Sequence, residues 1–331
     1  MRVAVIGAGA VGGLLAALLD RAGHDVEVTA RGEHLAAIRR DGIVLDGGYG
    51  SHVARVAAWE TLRGRPEIAI LATKAQDAGA ALRANAAALG GVPLLVVQNG
   101  LGGIQVAREA VPKSPLLGGL ALFATSYLSP GHITVTAALP LVIGPAEGTS
   151  PAVRSRVVAL LRDALPVEVV DNLEGAQWTK LLINHVNALP AITGLSVQQT
   201  IADRALRRVL AASLRETVRL ANRIGIRFAG LQGIPGWILP WLGRGPLALT
   251  AQLPLLLSRR MGSVPNPGST LQSLRRGQLT EIDYLNGAVV RVAAEHGLSA
   301  PVNAAIVELV HEVERTKEFL APEVVAARVP A

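Results

Sequence analysis

RVAVIGAGAVGGLLAALLDRAGHDVEVTAR, residues 2–31, decides how this chain folds. Arg2–Ile6 carries Val3, Val5 and Ile6 in a run with no strong helix former beyond Ala4, which predicts a short buried strand. Gly7, Gly9 and Gly12 follow at G-x-G-x-x-G spacing, and the Ala/Leu-rich Leu14–Leu19 continues as an apolar helix that Gly23 closes. Asp25–Ala30 reads as a second strand. Each glycine has a physical role. The first permits a tight turn and the second lets backbone amides approach a pyrophosphate. The third lets helix and strand pack closely, so that the helix N-terminus faces the anion. Ala10 and Val11, inside the motif, complete the candidate phosphate-binding set. The glycines alone would be a weak signal; strand, glycines, helix and second strand in order are a specific one.

The end of the second strand carries a further message. A dinucleotide site that selects NAD places an acid there, on the ribose 2′-hydroxyl. Here the chain reads Thr29-Ala30-Arg31-Gly32, without a carboxylate. Arg31 can instead make bidentate, charge-assisted bonds to a 2′-phosphate, so NADP(H) is the expected cofactor.

With 331 residues the chain exceeds one ordinary core and suggests two domains, placed at 1–171 and 172–331. Half the residues are hydrophobic and 17% charged, which excludes a disordered chain. The net charge of +7 suits an anionic cofactor and substrate. Aromatic residues make up only 3%, leaving few stacking platforms, and the basic residues are not clustered as a nucleic-acid binder would cluster them. There is no cysteine, and the seven histidines show no metal-ligand spacing, so neither a thiolate nor a metal site is expected. The apolar N-terminus has its glycines at dinucleotide spacing and lacks a cleavage signature, so it reads as mature sequence of a cytoplasmic protein.

Further along, Glu33–Arg40 predicts a short helix, and Gly42–Leu45 and His52–Val56 flank a glycine-rich hairpin turn. Glu67–Leu71 and Val92–Val97 predict buried strands, followed directly by Lys74 and by Gln98-Asn99-Gly100. Ligands of open parallel sheets sit beyond the strands' carboxyl ends, which puts Lys74 and Asn99 at the cofactor crevice. Asp77–Leu89 predicts a helix capped by Asp77. Residues 116–143 are β-rich, Ala152–Ala164 is helical, and Val167–Val170 is a last strand. Beyond Asp171 only helical spacing remains, in Leu173–Leu189, Ala205–Ile224, Gln278–Glu295 and Ala304–Glu318. Residues 228–262 are apolar and broken by prolines, with no run of the roughly 18–20 apolar residues that a spanning helix needs. A lid, a dimer contact or a membrane-surface patch would each fit that segment.

Within the second half, Lys180, Asn184 and Asn187 fall at i, i+4 and i+7 of one predicted helix. Such a stripe can be a solvated face, or a seam of one cation and two amides toward a ligand. A lysine there can stabilise a developing alkoxide and donate its proton. Ser269 lies in a Pro/Gly-rich loop, suited to capping the next helix or binding an anion. Thr280 reads as a cap for a helix whose first turn holds Glu281 and Asp283.

These residues together resemble the ketopantoate reductase (2-dehydropantoate 2-reductase) family. The likeness rests on GAGAVGG, Arg31, LATK, QNG at Gln98–Gly100, WTKLLIN at Trp178–Asn184, and STLQSLRRGQLTEIDYLNG at Ser269–Gly287. It implies a Rossmann domain with a doubly wound, mostly parallel sheet, joined to an all-α domain resembling that of 6-phosphogluconate dehydrogenase. The implied reaction is NADPH-dependent reduction of ketopantoate to pantoate, in pantothenate and coenzyme A biosynthesis. By resemblance Arg31 and Lys74 bind the adenosine end of NADPH, and Asn99 lies near nicotinamide and substrate. Lys180 matches the catalytic general acid, Asn184 and Ser269 match substrate-binding positions, and Glu281 matches the acid near nicotinamide and substrate. Where the family reads N-P-L-T-A, this chain has Asn187-Ala188-Leu189-Pro190, which places the Asn187 amide one position early, about 100° around the helix. Ser273 stands where an acid is common. Both departures admit a relative that reduces a bulkier 2-oxo acid or an imine. A homodimer through the helical domain is a further expectation.

Overall fold

The computed structural model describes residues 1–258 and 265–330, which divide into two compact units, Met1–Leu173 and Glu174–Ala331. The first contains twelve strands: β1 (Arg2–Ile6), β2 (Asp25–Thr29), β3 (Ile43–Gly47), β4 (His52–Ala54), β5 (Ala57–Trp59), β6 (Ile68–Leu71), β7 (Leu94–Val97), β8 (Leu116–Ala121), β9 (Ala124–Ser129), β10 (His132–Ala137), β11 (Leu141–Pro145) and β12 (Val167–Val169). Its helices are α1 (Ala10–Arg21), α2 (Gly32–Asp41), α3 (Ala78–Ala84), α4 (Ala86–Leu89), α5 (Gly103–Ala110) and α6 (Pro151–Arg162).

Eight strands form one sheet in the order β12-β11-β8-β7-β6-β1-β2-β5, parallel throughout except between β11 and β8. This is a Rossmann-type, mostly parallel sheet. Its central strands are buried on both faces, which is why β1, β6 and β7 read as continuous apolar runs rather than alternating ones. The chain leaves β1 toward β2 and β5, then returns to lay β6 on the other side of β1. That reversal opens a crevice at the carboxyl ends of β1 and β6.

A second sheet, β4-β3-β10-β9, was only half legible in the sequence. The hairpin of β3 and β4 is antiparallel, as the glycine-rich turn predicts. The parallel pairing of β10 with β3 joins segments some ninety residues apart (Ile133 opposite Leu45), which no local pattern reveals. This sheet packs on α1, where a Cβ on Gly13 would fall 2.1 Å from Ile133 Cδ1.

The helix expected over Asp77–Leu89 is broken. A 3₁₀ turn (Ala75–Asp77) leads into α3, and Asn85 separates α3 from α4. Asn85 Nδ2 donates to the Ala81 carbonyl at 2.8 Å and its Oδ1 accepts from Leu62 N at 2.7 Å, so its side chain competes with the helix ladder. Asp77 makes no side-chain cap bond.

The second unit is helical: α7 (Leu173–Asn184), α8 (Ala188–Thr193), α9 (Val197–Ala202), α10 (Arg204–Arg223), α11 (Leu239–Leu242), α12 (Leu247–Thr250), α13 (Gln252–Ser258), α14 (Gly268–Arg275), α15 (Asn286–Glu295), α16 (Pro301–Thr316) and α17 (Pro322–Arg328). Asp203 caps the long α10 by accepting from Leu206 N at 2.8 Å, and Pro301 starts α16. Two predicted helices are shorter than their periodicity suggests. Pro190 has no N–H to offer Val186, and His185–Asn187 tightens into a 3₁₀ turn between α7 and α8. Before α15, Gly277 (φ +66°) ends α14's run and only Ile282–Tyr284 makes a 3₁₀ turn. Thr280 Oγ1 accepts from Ile282 N at 3.3 Å, a local turn rather than the predicted cap of a long helix.

The apolar segment 228–262 forms short helical pieces as far as Ser258; residues 259–262 lie outside the described residues. Its prolines prevent a long helix and leave Trp237, Trp241, Leu249 and Leu256 at the surface. Among the described residues no helix is long and apolar enough to cross a membrane.

Candidate active site

In the first unit the predicted cofactor residues gather at one edge of the sheet. Gly7 follows β1 with φ +93°, a conformation that favours glycine, and any Cβ there would meet Thr73 at 2.7 Å. Gly12 is held tighter still: its Cβ would fall 1.9 Å from the Gly7 carbonyl oxygen. Gly9 is the opposite case, with nothing within 4 Å of where a Cβ would stand. Gly9 also starts α1 without a side-chain cap bond, so the first amides of the helix, those of Ala10, Val11 and Gly12, have no partner within the helix. Open space at Gly9 in front of uncapped amides is the shape and charge that a pyrophosphate requires. These residues therefore fit a dinucleotide.

Side chains that the sequence reading passed over hold this cradle. Gly7 N donates to Thr29 Oγ1 at 3.0 Å, and Gln98 Nε2 donates to the Thr73 carbonyl at 2.9 Å. His34 on α2 receives Gly131 N at its Nδ1 (3.0 Å), so its Nε2 carries the hydrogen toward the Ala8 carbonyl at 2.6 Å. His34 thus ties the glycine loop to the second sheet. Neither contact leaves a local signature, because the partners lie 26 and 97 residues from His34.

Arg31 follows β2 in extended backbone, exposed, with no side-chain ion pair or hydrogen bond among the described residues. Lys74 and Asn99, both partly buried, follow β6 and β7. Gly7, Arg31, Lys74 and Asn99 therefore sit past the carboxyl ends of four strands that are neighbours or next neighbours.

In the second unit Lys180 and Asn184 stand one turn apart on α7. Asn184 is 8% exposed. Lys180 is partly buried and makes no hydrogen bond or ion pair among the described residues, and burial pushes its ammonium from 10.5 down to about 8. Asn187 belongs to the 3₁₀ turn, where residues three apart eclipse, so it lies closer in line with Asn184 than α-helical spacing predicts. Its Oδ1 would be 2.8 Å from a Cβ on Gly268, which brings Asn187 beside the start of α14. Ser269 is the next residue, exposed, and α14 has no side-chain cap. Glu281 is partly buried at the head of the 3₁₀ turn Ile282–Tyr284. The neighbouring Asp283 instead accepts from His311 Nε2 at 2.9 Å.

Behind α7 lies a buried polar network. Ser213 Oγ donates to Asn303 Oδ1 (2.8 Å), so the 2.7 Å contact with His185 requires His185 Nδ1–H to donate to Ser213. Asn286 Nδ2 also reaches Asn303 Oδ1 at 2.9 Å, and Asn303 Nδ2 donates to Glu216 at 2.7 Å. His185 is fully buried and neutral, its pKa lowered by burial to about 3. The network anchors the turn after Asn184 to α10, α15 and α16. On another flank, Leu182 and Ile183 of α7 and Val186 of the following 3₁₀ turn line, with Leu210, Ile234 and Leu239, an apolar cavity of about 290 Å³. Among the described residues no group of acidic, histidine or cysteine side chains is arranged to hold a metal ion.

Two family models match the chain in turn: ketopantoate reductase PanE/ApbA over residues 3–148, and the C-terminal part of the same family over residues 172–314. The 2-dehydropantoate 2-reductase of Archaeoglobus fulgidus is 28% identical over 318 residues, covering 95% of this chain and 98% of that protein. The crystal structure of a PanE/ApbA family ketopantoate reductase from Ralstonia eutropha JMP134 superposes with a TM-score of 0.79 at 28% identity, covering 96% of this chain and 99% of that one. The ternary structure of a D-mandelate dehydrogenase with NADH and anilino(oxo)acetate reaches a TM-score of 0.80 at 20% identity, covering 96% and 99% of the two chains; at that identity it shows the shared fold alone.

Proposed function

This chain belongs to the ketopantoate reductase family, and from that premise we propose that it is an NADPH-dependent oxidoreductase reducing the C2 carbonyl of a 2-oxo acid, with 2-dehydropantoate to pantoate as the leading reaction. The observation that carries the proposal is Lys180: a partly buried ammonium with no partner among the described residues, its pKa lowered to about 8. A structural lysine would be paired or extended into water. One held back from both, and still mostly protonated at neutral pH, is suited to meet a developing oxyanion and give it a proton.

Bound at the glycine loop, reduced nicotinamide supplies the hydride. Gly7, Gly9, Ala10, Val11 and Gly12 would hold the pyrophosphate, and Arg31 with Lys74 the adenosine end and its 2′-phosphate. Lys180 stabilises the oxyanion formed at C2 and transfers its proton to that oxygen. Asn184 and Asn99 orient the carbonyl without titrating, Ser269 donates to the carboxylate, Asn187 supports the start of α14 next to that serine, and Glu281 acts beside nicotinamide and substrate. The reaction then falls in pantothenate and coenzyme A synthesis in the cytoplasm.

A second reading, a larger apolar 2-oxo acid or an imine, is favoured by the 290 Å³ apolar cavity on the flank of the helix that carries Lys180. One experiment addresses both: oxidation of NADPH and NADH with a panel of 2-oxo acids of increasing size. The proposal expects the highest kcat/KM with 2-dehydropantoate and NADPH. Turnover of none of the panel, or a clear preference for NADH, would overturn it.

A further inference from the structure

A cavity of about 830 Å³ in the second unit has neither Lys180 nor Asn184 in its lining and is bordered by arginines. Arg215, Arg219 and Arg223 fall at i, i+4 and i+8 on one face of α10, and Arg244 joins them from the loop after α11. Like charges at this spacing repel along a helix, so the row works against the helix's stability unless something neutralises it. None of the four makes an ion pair among the described residues. Glu216 is the acid that lines the cavity, and both its oxygens are engaged elsewhere, accepting from Val302 N (3.0 Å), Asn303 N (2.9 Å) and Asn303 Nδ2 (2.7 Å).

The guanidinium groups are also only partly committed. Arg215 Nε is buried with no hydrogen-bond partner among the described residues. Arg219 Nε donates to the Gly243 carbonyl at 2.9 Å, which fixes the fork and leaves its terminal nitrogens available. Arg244 rests on the exposed ring of Trp241, 5.3 Å from its centroid. Leu247, Leu298 and Val302 also line the cavity and give it an apolar part.

We propose that this cavity is a polyphosphate-binding site, separate from the dinucleotide cradle, suited to the phosphate chain of a nucleoside polyphosphate. Guanidinium forks match phosphate oxygens bidentately, and several placed around one cavity match a ligand with several adjacent anionic groups rather than a single carboxylate. The apolar part would receive the rest of such a molecule.

The test is calorimetric titration of the full chain with inorganic tripolyphosphate and, separately, with ATP, in about 100 mM salt so that unspecific attraction is screened. Arg223 and Arg244 are exposed, so an Arg223→Glu/Arg244→Gln double variant should keep its melting temperature. Its affinity for tripolyphosphate should fall at least tenfold, with a weaker salt dependence. Arg215→Lys, which keeps the charge and removes the fork, should also weaken binding. Gly9→Asp, which puts a carboxylate into the dinucleotide cradle, should leave tripolyphosphate affinity unchanged. Tighter binding of ATP than of tripolyphosphate would assign a nucleotide; equal affinity would assign the phosphate chain alone as the ligand. The proposal fails if neither anion binds at millimolar concentration, if the double variant binds as the parent does, or if Gly9→Asp abolishes binding. It fails equally if the four arginines govern only self-association of the chain.

Discussion

Replacing Lys180 by methionine removes the charge that the proposed chemistry needs while keeping most of the side chain's reach. Burial lowers the lysine's pKa from 10.5 in the unfolded chain to about 8 in the folded one. At about 1.36 kcal/mol per pKa unit, that is roughly 3 kcal/mol of unfavourable charge burial near neutral pH. The side chain is only partly buried, and solvent screening reduces the figure to about 1–2 kcal/mol. Lys180→Met should therefore be at least as stable as the parent at pH 7, with turnover lower by roughly 10²–10⁴-fold, the usual contribution of a positioned acid. The folded pKa lies below the unfolded one, so between pH 8 and 10.5 the unfolded chain holds a proton that the folded chain has shed. The parent consequently gains stability as pH rises through that window. The variant's advantage is full below about pH 8 and disappears above 10.5. Turnover of the parent runs the other way, falling as Lys180 deprotonates above about pH 8. Urea denaturation at pH 7 and pH 10, with steady-state rates across the same range, reads all of these quantities. Near-parental turnover in Lys180→Met would remove the lysine from the mechanism. A variant destabilised by more than about 1 kcal/mol at pH 7 would mark the lysine as structural instead.

Gly9→Ala and Gly12→Ala should separate ligand space from packing. Nothing stands within 4 Å of a Cβ at Gly9, so melting should be unchanged and only dinucleotide affinity should drop; at Gly12 the clash with the Gly7 carbonyl should lower stability by about 1–3 kcal/mol as well. Arg31→Ala should raise KM for NADPH roughly tenfold or more and leave KM for NADH nearly unchanged, since the exposed guanidinium is proposed to touch only the 2′-phosphate; an equal effect on both cofactors would refute that role. Because His185 is held neutral with a pKa near 3 against 6.5 when unfolded, stability should fall as pH drops below 6.5. His185→Gln should flatten that part of the acid denaturation curve, measured from pH 7 to 4.

Much of the first unit is written locally. The strand, glycine turn, helix and second strand of residues 2–31 appear where the apolar periodicity and glycine spacing place them. A short buried strand and an apolar helix need nothing beyond their own sequence to be recognised. The misreadings share one cause. Asn85 breaks a helix through its own side-chain bonds, Pro190 withholds an N–H, and Gly277 with Thr280 keeps residues 278–281 out of a helix. In each case the local chemistry of one or two residues, a side-chain bond, a missing N–H or a left-handed glycine, outweighed a favourable apolar spacing.

What the sequence determined by itself is the order of elements and the residue types able to carry chemistry: glycines before an uncapped helix, an arginine where an acid would select NAD, a lysine and amides on one helical stripe. Tertiary structure alone decided which of these are held in a reactive condition. The low pKa of Lys180 comes from burial, which depends on every element packed around α7. The tautomer of His185 is set by Ser213 and Asn303, 28 and 118 residues away in sequence. Unneutralised arginines on α10 likewise became visible only once Glu216 was seen to be committed to the start of α16. Backbone hydrogen bonds and periodicity act over a few residues, whereas desolvation and charge compensation sum over whatever the fold brings near.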